Sequence, residues 1–262
     1  MCAELLATGL LTPLNKTDHN ETKELKDLGL LPKIRPINSG TMMAKALLAE
    51  MLLTPAGKRA AQRVAPFQLA LGTSRGCEKM IHLCRAAHEL GWIIAKNDFT
   101  NGFNSLSRQT MLNAHSSFFP ESTSLFTFFY AVDAPIFFFD QDSNLVSLES
   151  KQGPRQGCSA GTEAFCFAIH PLLTVLKATY PEFEFRVLTD DIIPICPPPA
   201  YPTPGTWQAL YQRYASLLID LEILARQIGL KLNPGKGPPA SQCSLPRSLN
   251  ASPLPTILHL HT

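Results

Sequence analysis

Residues 185–195 read FRVLTDDIIPI. Val187, Leu188, Ile192, Ile193 and Ile195 are apolar, and four of these five are β-branched, which suits a pleated, half-buried surface. The flanks therefore predict two strands joined by a turn at Thr189-Asp190-Asp191. A two-residue hairpin turn ordinarily uses Asn-Gly or Asp-Gly, yet no glycine is present here. Adjacent carboxylates repel each other and resist ionising together unless a cation lies beside them. Alone, such a turn reads as a solvated loop.

A third carboxylate changes that reading. AKNDFTNGFNSLSR, residues 95–108, sets Asp98 at the end of a buried strand expected over 92–99. Paired with Asp190 and Asp191 on a neighbouring hairpin, it would make a nest of three carboxylates. Magnesium takes hard oxygen ligands, uses one or two protein carboxylates per ion, and completes its shell with phosphates and water. Two such ions can clamp the attacking and leaving oxygens of an in-line phosphoryl displacement. The expected cofactor is thus a pair of Mg2+ ions, with Mn2+ as a substitute.

Composition sets the outer bounds. The 262 residues are 45% apolar and 17% charged, a globular balance with enough chain for a real core. A net charge of +2 permits a nucleic-acid partner without arguing for one. Seven cysteines form no CxxC pair and no histidines stand at zinc-finger spacing, so a metal finger and a disulfide framework are both disfavoured. The cysteines read as reduced and mostly buried, which suits a cytoplasmic or nuclear compartment. The N-terminus lacks a basic n-region, and the most apolar run, 124–139, is short and interrupted by Asp133 and Pro135. No secretory signal, membrane span or membrane partner is expected.

Along the chain, two short extended pieces precede a pair of helices within 40–64, where Met42 and Met43 read as core and Lys58, Arg59 and Arg63 as a charged face. A helix is expected from Ser74, as N-cap, to Leu90, with Met80, Leu83, Cys84 and Ala87 on its apolar stripe. Residues 124–139 are open between helix and strand. A long apolar helix is expected over 159–180, with Pro171 inside it. A last helix, capped by Thr206, should bury Leu210, Tyr214, Leu217, Leu221, Leu224 and Ile228. After Lys236 the periodicity stops. Strands and helices mix without a βαβ rhythm, which indicates an α+β fold.

Read in order, these stretches resemble a reverse transcriptase, an RNA-directed DNA polymerase, most similar to the non-LTR retrotransposon type, over about residues 10–236. LLTPLNK and KIRPI resemble its first finger strands, and QLALGTSRGCEKMIHLCRAA the segment before its first catalytic strand. DFTNGFNS resembles motif A, RQGCSAGTEAFCFAIHP motif B, VLTDDI motif C and IGLKLNPGK motif D. The resemblance implies a right-hand polymerase with fingers over 1–90, a palm over 91–236 built on a small antiparallel sheet backed by helices, and an irregular tail over 237–262. It implies that Asp98, Asp190 and Asp191 hold the metals. Phe103 would be the aromatic gate that rejects a ribose 2′-hydroxyl. Gln156 and Gly157 would pack under the incoming nucleotide and template base. Arg35 and Lys16 would hold the triphosphate, and Lys236 would be the general acid for pyrophosphate. The implied partners are an RNA template, a DNA primer and deoxynucleoside triphosphates.

The chain departs from the family pattern at Leu188, where an aromatic is usual, and at Cys158 after Gly157. No thumb or primer grip follows Lys236, and no endonuclease or RNase H pattern is visible. The alternative expectation is therefore a truncated or inactive retroelement relic that keeps the fold and binds nucleic acid. Phe103 argues against a third expectation, an RNA-dependent RNA polymerase. A plain α+β interaction module would leave the acidic turn solvated.

Overall fold

The computed structural model describes residues 6–15, 22, 23, 25, 27, 28, 34–140 and 142–233. Lys16, Lys236 and the expected tail lie outside the described residues. The chain forms two compact units, each assembled from separated segments: residues 1–63 with 101–168, and residues 64–100 with 169–262.

The first unit is built on a four-stranded sheet of order β2-β1-β4-β5. β1 (Gly9–Asn15) pairs antiparallel with β2 (Ile34–Gly40), from Gly9↔Gly40 to Asn15↔Ile34. β1 also pairs parallel with β4 (Ala134–Phe139), and β4 returns antiparallel into β5 (Leu145–Ser150). Asp140 shapes that return: its Oδ1 accepts from the N–H groups of Asp142 at 2.9 Å and Asn144 at 2.8 Å.

α1 (Met42–Leu53) and α2 (Pro55–Gln62) follow β2, each started by a threonine whose hydroxyl accepts an orphan N–H: Thr41 from Ala44 and Thr54 from Gly57. The core stripe of α1 is Ala44, Leu48 and Met51. Met42 and Met43, expected in the core, are exposed because they precede that stripe by less than a turn. Lys58, Arg59 and Arg63 are exposed, and Arg63 Nη1 donates to Phe118 O.

α4 (Gly102–Ser105), α5 (Arg108–Phe118) and α6 (Thr123–Tyr130) carry an aromatic core. Phe119, Phe126, Phe129, Tyr130, Phe165 and Phe167 are all essentially buried. His115 lies among them, its ring stacked on Phe126 at 3.7 Å and bonded to Ser122 Oγ at 2.7 Å. Burial pushes its pKa down to about 4, so it packs as a neutral ring. The run that was open between helix and strand divides at Asp133: TSLFTFFY is helical, and APIFFF is strand.

The second unit is built on a three-stranded antiparallel sheet of order β3-β7-β6. β6 (Glu184–Leu188) and β7 (Asp191–Cys196) form the expected hairpin, closed by the pair Leu188↔Asp191 around Thr189 and Asp190. Phe183, Phe185, Val187 and Ile192 are fully buried. β3 is only Ile93–Ile94, shorter than the strand expected over 92–99. The physical reason lies in β7. Ala95 N–H donates to Pro194 O at 3.3 Å, but Pro194 has no N–H to return, so the ladder breaks there. It resumes at Asn97↔Ile192.

α3 (Gly76–Glu89) and α8 (Pro204–Gln227) belong to this unit, together with the later part of α7 (Gly161–Thr179), which contains Pro171. The cap of α3 is Arg75 in the left-handed region rather than Ser74. Gly76 follows because a Cβ there would collide with Leu69 O. The cap of α8 is Thr203, and Thr206 completes a capping box from position N3. Trp207, Tyr214, Leu217, Leu221 and Ala225 are buried, while Leu210, Leu224 and Ile228 are only half-buried. Each large apolar side chain so buried contributes about 1.5–3 kcal/mol, enough to override local turn preferences. Among the described cysteines, Cys166 and Cys196 are buried and Cys77 is exposed, so the expected burial holds for only part of the set.

Candidate active site

The three aspartates all belong to the second unit. Asn97 and Ile192 exchange both backbone hydrogen bonds at 2.9 Å. The next cross-strand neighbours in that antiparallel register are Asp98 and Asp191, a non-hydrogen-bonded position where side chains of adjacent strands come closest. Asp98 is 6% exposed and its carbonyl accepts from Asn233 N at 2.8 Å. Thr100 N–H donates to Lys231 O at 2.8 Å, so the stretch 97–100 is held from both sides. Asp190 is the second residue of the hairpin turn and Asp191 the first residue of β7, both half-buried.

Two neighbours of this edge were not singled out from the sequence. Lys96 Nζ lies 3.0 Å from Asp191 Oδ2, with the two side chains 54% and 31% exposed. It supplies a cation beside one of the repelling carboxylates. Gln68, 1% exposed, reaches the turn itself. Thr189 has φ 60, which a β-branched residue rarely adopts. Its N–H donates to Gln68 Oε1 at 2.8 Å, and Gln68 Nε2 donates to its carbonyl at 3.3 Å. The usable signal was the turn itself: without glycine, its conformation needs support from elsewhere in the chain.

The donor chemistry suits a hard cation. Carboxylates on adjoining strands are what Mg2+ takes, one or two per ion. Asp98, Asp190 and Asp191 are the residues that would hold it. The nest of three carboxylates expected from the sequence is not formed: among the described residues, no three His, Cys, Asp or Glu side chains are gathered closely enough to hold an ion together.

The first unit carries the other described residues proposed from the sequence. Arg35 is exposed on β2, opposite Leu14. Phe103, on α4, stacks on Phe165 at 4.9 Å with the rings 3° from parallel. Gln156 O accepts from Asn38 N at 2.7 Å, which docks the Gln-Gly pair on β2. Gly157 has φ 100, and a Cβ there would lie 2.5 Å from Asn38 O. Both the conformation and the close approach require glycine. Gln156 Oε1 is buried with no hydrogen-bond partner among the described residues, an acceptor left open.

Two arginines that sequence reading passed over hold this loop. Arg155 is 7% exposed; its guanidinium lies 4.8 Å from the Tyr130 ring centre and donates to Phe129 O at 3.1 Å. Arg108 donates to Tyr130 O, Ser150 O and Gln152 O. Burial, and then the charge of Arg155, pulls the Arg108 pKa down to about 10. Glu163, in the first turn of α7, is 2% exposed, and burial pushes its carboxyl up to about 8.

No family model matches the chain. The chain is 26% identical over 168 residues to the retrotransposable element SLACS 132 kDa protein of Trypanosoma brucei gambiense, covering 63% of this chain and 14% of that protein. In structure it is similar to apo telomerase from Candida tropicalis truncated from its C-terminal domain, with a TM-score of 0.57 at 12% identity, over 88% of this chain and 49% of the telomerase chain. It is also similar to the BmCPV RNA-dependent RNA polymerase at elongation state, with a TM-score of 0.54 at 9% identity, over 86% and 20% of the two chains. The chain thus spans a small part of the retrotransposon protein and about half of the telomerase chain. Its fold is mixed α+β and polymerase-like. Among the described residues, no helix is long and apolar enough to cross a membrane.

Proposed function

We propose that the chain is the fingers-and-palm part of an RNA-directed DNA polymerase that transfers deoxynucleotides onto a primer 3′-hydroxyl. One observation carries this reading: the Asn97–Ile192 exchange seats Asp98 beside the Asp190-Asp191 turn in a chain of polymerase-like fold. In this reading residues 1–90 serve as fingers and 91–236 as palm.

Asp98, Asp190 and Asp191 bind the divalent ions, which when present supply positive charge to the reacting phosphate. Phe103 occupies the sugar-discriminating position and biases the site toward deoxynucleotides. Gln156 and Gly157 pack under the incoming nucleotide and template base, docked on β2 through Asn38. Arg35 and Lys16 bind the triphosphate, and Lys236 protonates the pyrophosphate leaving group. The partners are an RNA template, a DNA primer and deoxynucleoside triphosphates.

The test is primer extension on an RNA template with deoxynucleotides and Mg2+. The reading expects extension that stops on chelation and is not supported by ribonucleotides. A second reading, an inactive relic that binds nucleic acid, is favoured by the Lys96–Asp191 pair, which places a protein cation on a proposed metal ligand. That reading expects template binding without Mg2+-dependent extension.

A further inference from the structure

We infer that Gln68 is a positioning residue: it holds Thr189 at its positive φ at the start of the turn and so keeps Asp190 and Asp191 presented as metal ligands, which rests on the reading of the acidic edge proposed above.

The turn cannot hold itself. Its first residue is a threonine at φ 60, a conformation that persists in a β-branched residue only where the surroundings over-determine it. The two aspartates that follow repel each other, so the unsupported turn would relax by moving them apart. Gln68 opposes both tendencies by bonding the same residue twice, accepting from Thr189 N–H at 2.8 Å and donating to Thr189 O at 3.3 Å. One amide satisfying both polar groups of a single residue holds the two peptide planes that flank it, and with them the backbone conformation of Thr189.

The clamp is itself immobilised. Gln68 bridges Val187 in parallel, two residues before the turn. Val187 N–H donates to Phe67 O at 2.9 Å, and Leu69 N–H donates to Val187 O at 2.8 Å. Ala70 N–H donates to Gln68 Oε1 at 3.2 Å, so the side-chain oxygen takes two donors and its amide orientation is set by the network. At 1% exposure, Gln68 has no water to exchange these bonds with. Residues 67–70 therefore form an outer shell for the acidic edge. Such partners orient ligands and are felt in metal affinity when removed.

The experiment measures Mn2+ binding to the full chain by electron paramagnetic resonance, with circular dichroism to establish folding. Wild type, Asp190→Asn, Gln68→Ala and the double variant Gln68→Ala/Thr189→Gly are compared. Gln68→Met, which keeps the side-chain volume, replaces Gln68→Ala if the latter does not fold. The expected result is loss of binding in Asp190→Asn and about tenfold weaker binding in Gln68→Ala. The double variant should regain most of that loss, because glycine takes a positive φ without a clamp. A role for Gln68 in folding alone would lower the unfolding midpoint and would not be rescued by Thr189→Gly. Wild-type affinity in folded Gln68→Ala, with binding lost in Asp190→Asn, overturns the inference and leaves the site reading standing. Undiminished binding in Asp190→Asn, or none in wild type, overturns the site reading and the inference with it.

Discussion

Asn97 and Ile192 exchange two backbone hydrogen bonds of 2.9 Å, and this single pair brings Asp98 alongside Asp191. The pairing matters because Pro194 breaks the ladder just before it, so β3 alone would not carry residue 98 to the hairpin. Thr100–Lys231 and Asp98–Asn233 backbone bonds hold the same stretch from its other side. An acidic edge that depends on so few bonds should respond sharply to changes at its neighbours and weakly to changes elsewhere.

Lys96 pairs with Asp191 at 3.0 Å on an exposed edge. Exposed pairs are worth about 0–1 kcal/mol. Lys96→Gln should therefore lower the unfolding free energy in urea by less than about 1 kcal/mol. It should also lower the Mg2+ concentration needed for half-maximal extension, because the competing cation is gone. An unchanged Mg2+ requirement would show that Lys96 does not compete at this site.

Gly157 has φ 100 with Asn38 O in the way of any Cβ. Gly157→Ala should cost about 1–3 kcal/mol in urea denaturation, the range for a strained backbone position. Gly40, with open space around it and no positive φ, is the control: Gly40→Ala should stay within about 0.5 kcal/mol of wild type. Similar costs at both positions would mean that the approach of residues 156–157 to β2 is not what demands glycine.

Glu163 has a carboxyl raised by burial from 4.5 to about 8. The folded state therefore binds a proton that the unfolded state has released between these values. The stability this proton contributes is complete below pH 4.5 and is lost as pH rises toward 8. Glu163→Gln removes the titration, so its urea midpoint should fall less between pH 5 and 8 than that of wild type. Parallel pH profiles for the two proteins would contradict a buried, protonated Glu163.

Phe103 stacks on Phe165 at 4.9 Å. Phe103→Ala should have two separable effects. Loss of packing at this half-buried ring should cost about 1–3 kcal/mol of stability. Under the proposed role as sugar gate, loss of the ring should raise ribonucleotide incorporation relative to deoxynucleotide. Phe103→Leu, which restores most of the packing, would recover stability. Loss of stability with unchanged sugar selectivity would leave Phe103 as a core aromatic only.

The hairpin was legible because β-branched residues flank a polar turn, and the observed strands begin and end within a residue or two of that pattern. α7 was legible as a long apolar run and α8 from its apolar periodicity. The caps of α3 and α8 were not, because Ser74 and Thr206 each lie near the residue that takes the role: Arg75 caps α3 in the left-handed region without a side-chain bond, and Thr203 completes a reciprocal box with Thr206. The short β3 was hidden in Pro194, a residue distant in sequence whose missing N–H acts on its neighbour. The acidic residues of the candidate site could be picked out by type and order. Gln68, Arg108 and Arg155 could not, since nothing in their own neighbourhoods marks a side chain that supports a turn or loop tens of residues away.

Metal-dependent nucleotide addition at the acidic edge is the reaction proposed for this chain. The most direct measurement is extension of a primer on an RNA template, with Mg2+ and deoxynucleotides, by wild type, Asp98→Asn, Asp190→Asn and Asp142→Asn. Asp142 is an exposed acid in the turn between β4 and β5 and serves as the control. Asp142→Asn should extend like wild type, while Asp98→Asn and Asp190→Asn, both folded, should lose extension by about 100-fold or more. Extension by Asp190→Asn equal to that of wild type would contradict the proposed reaction.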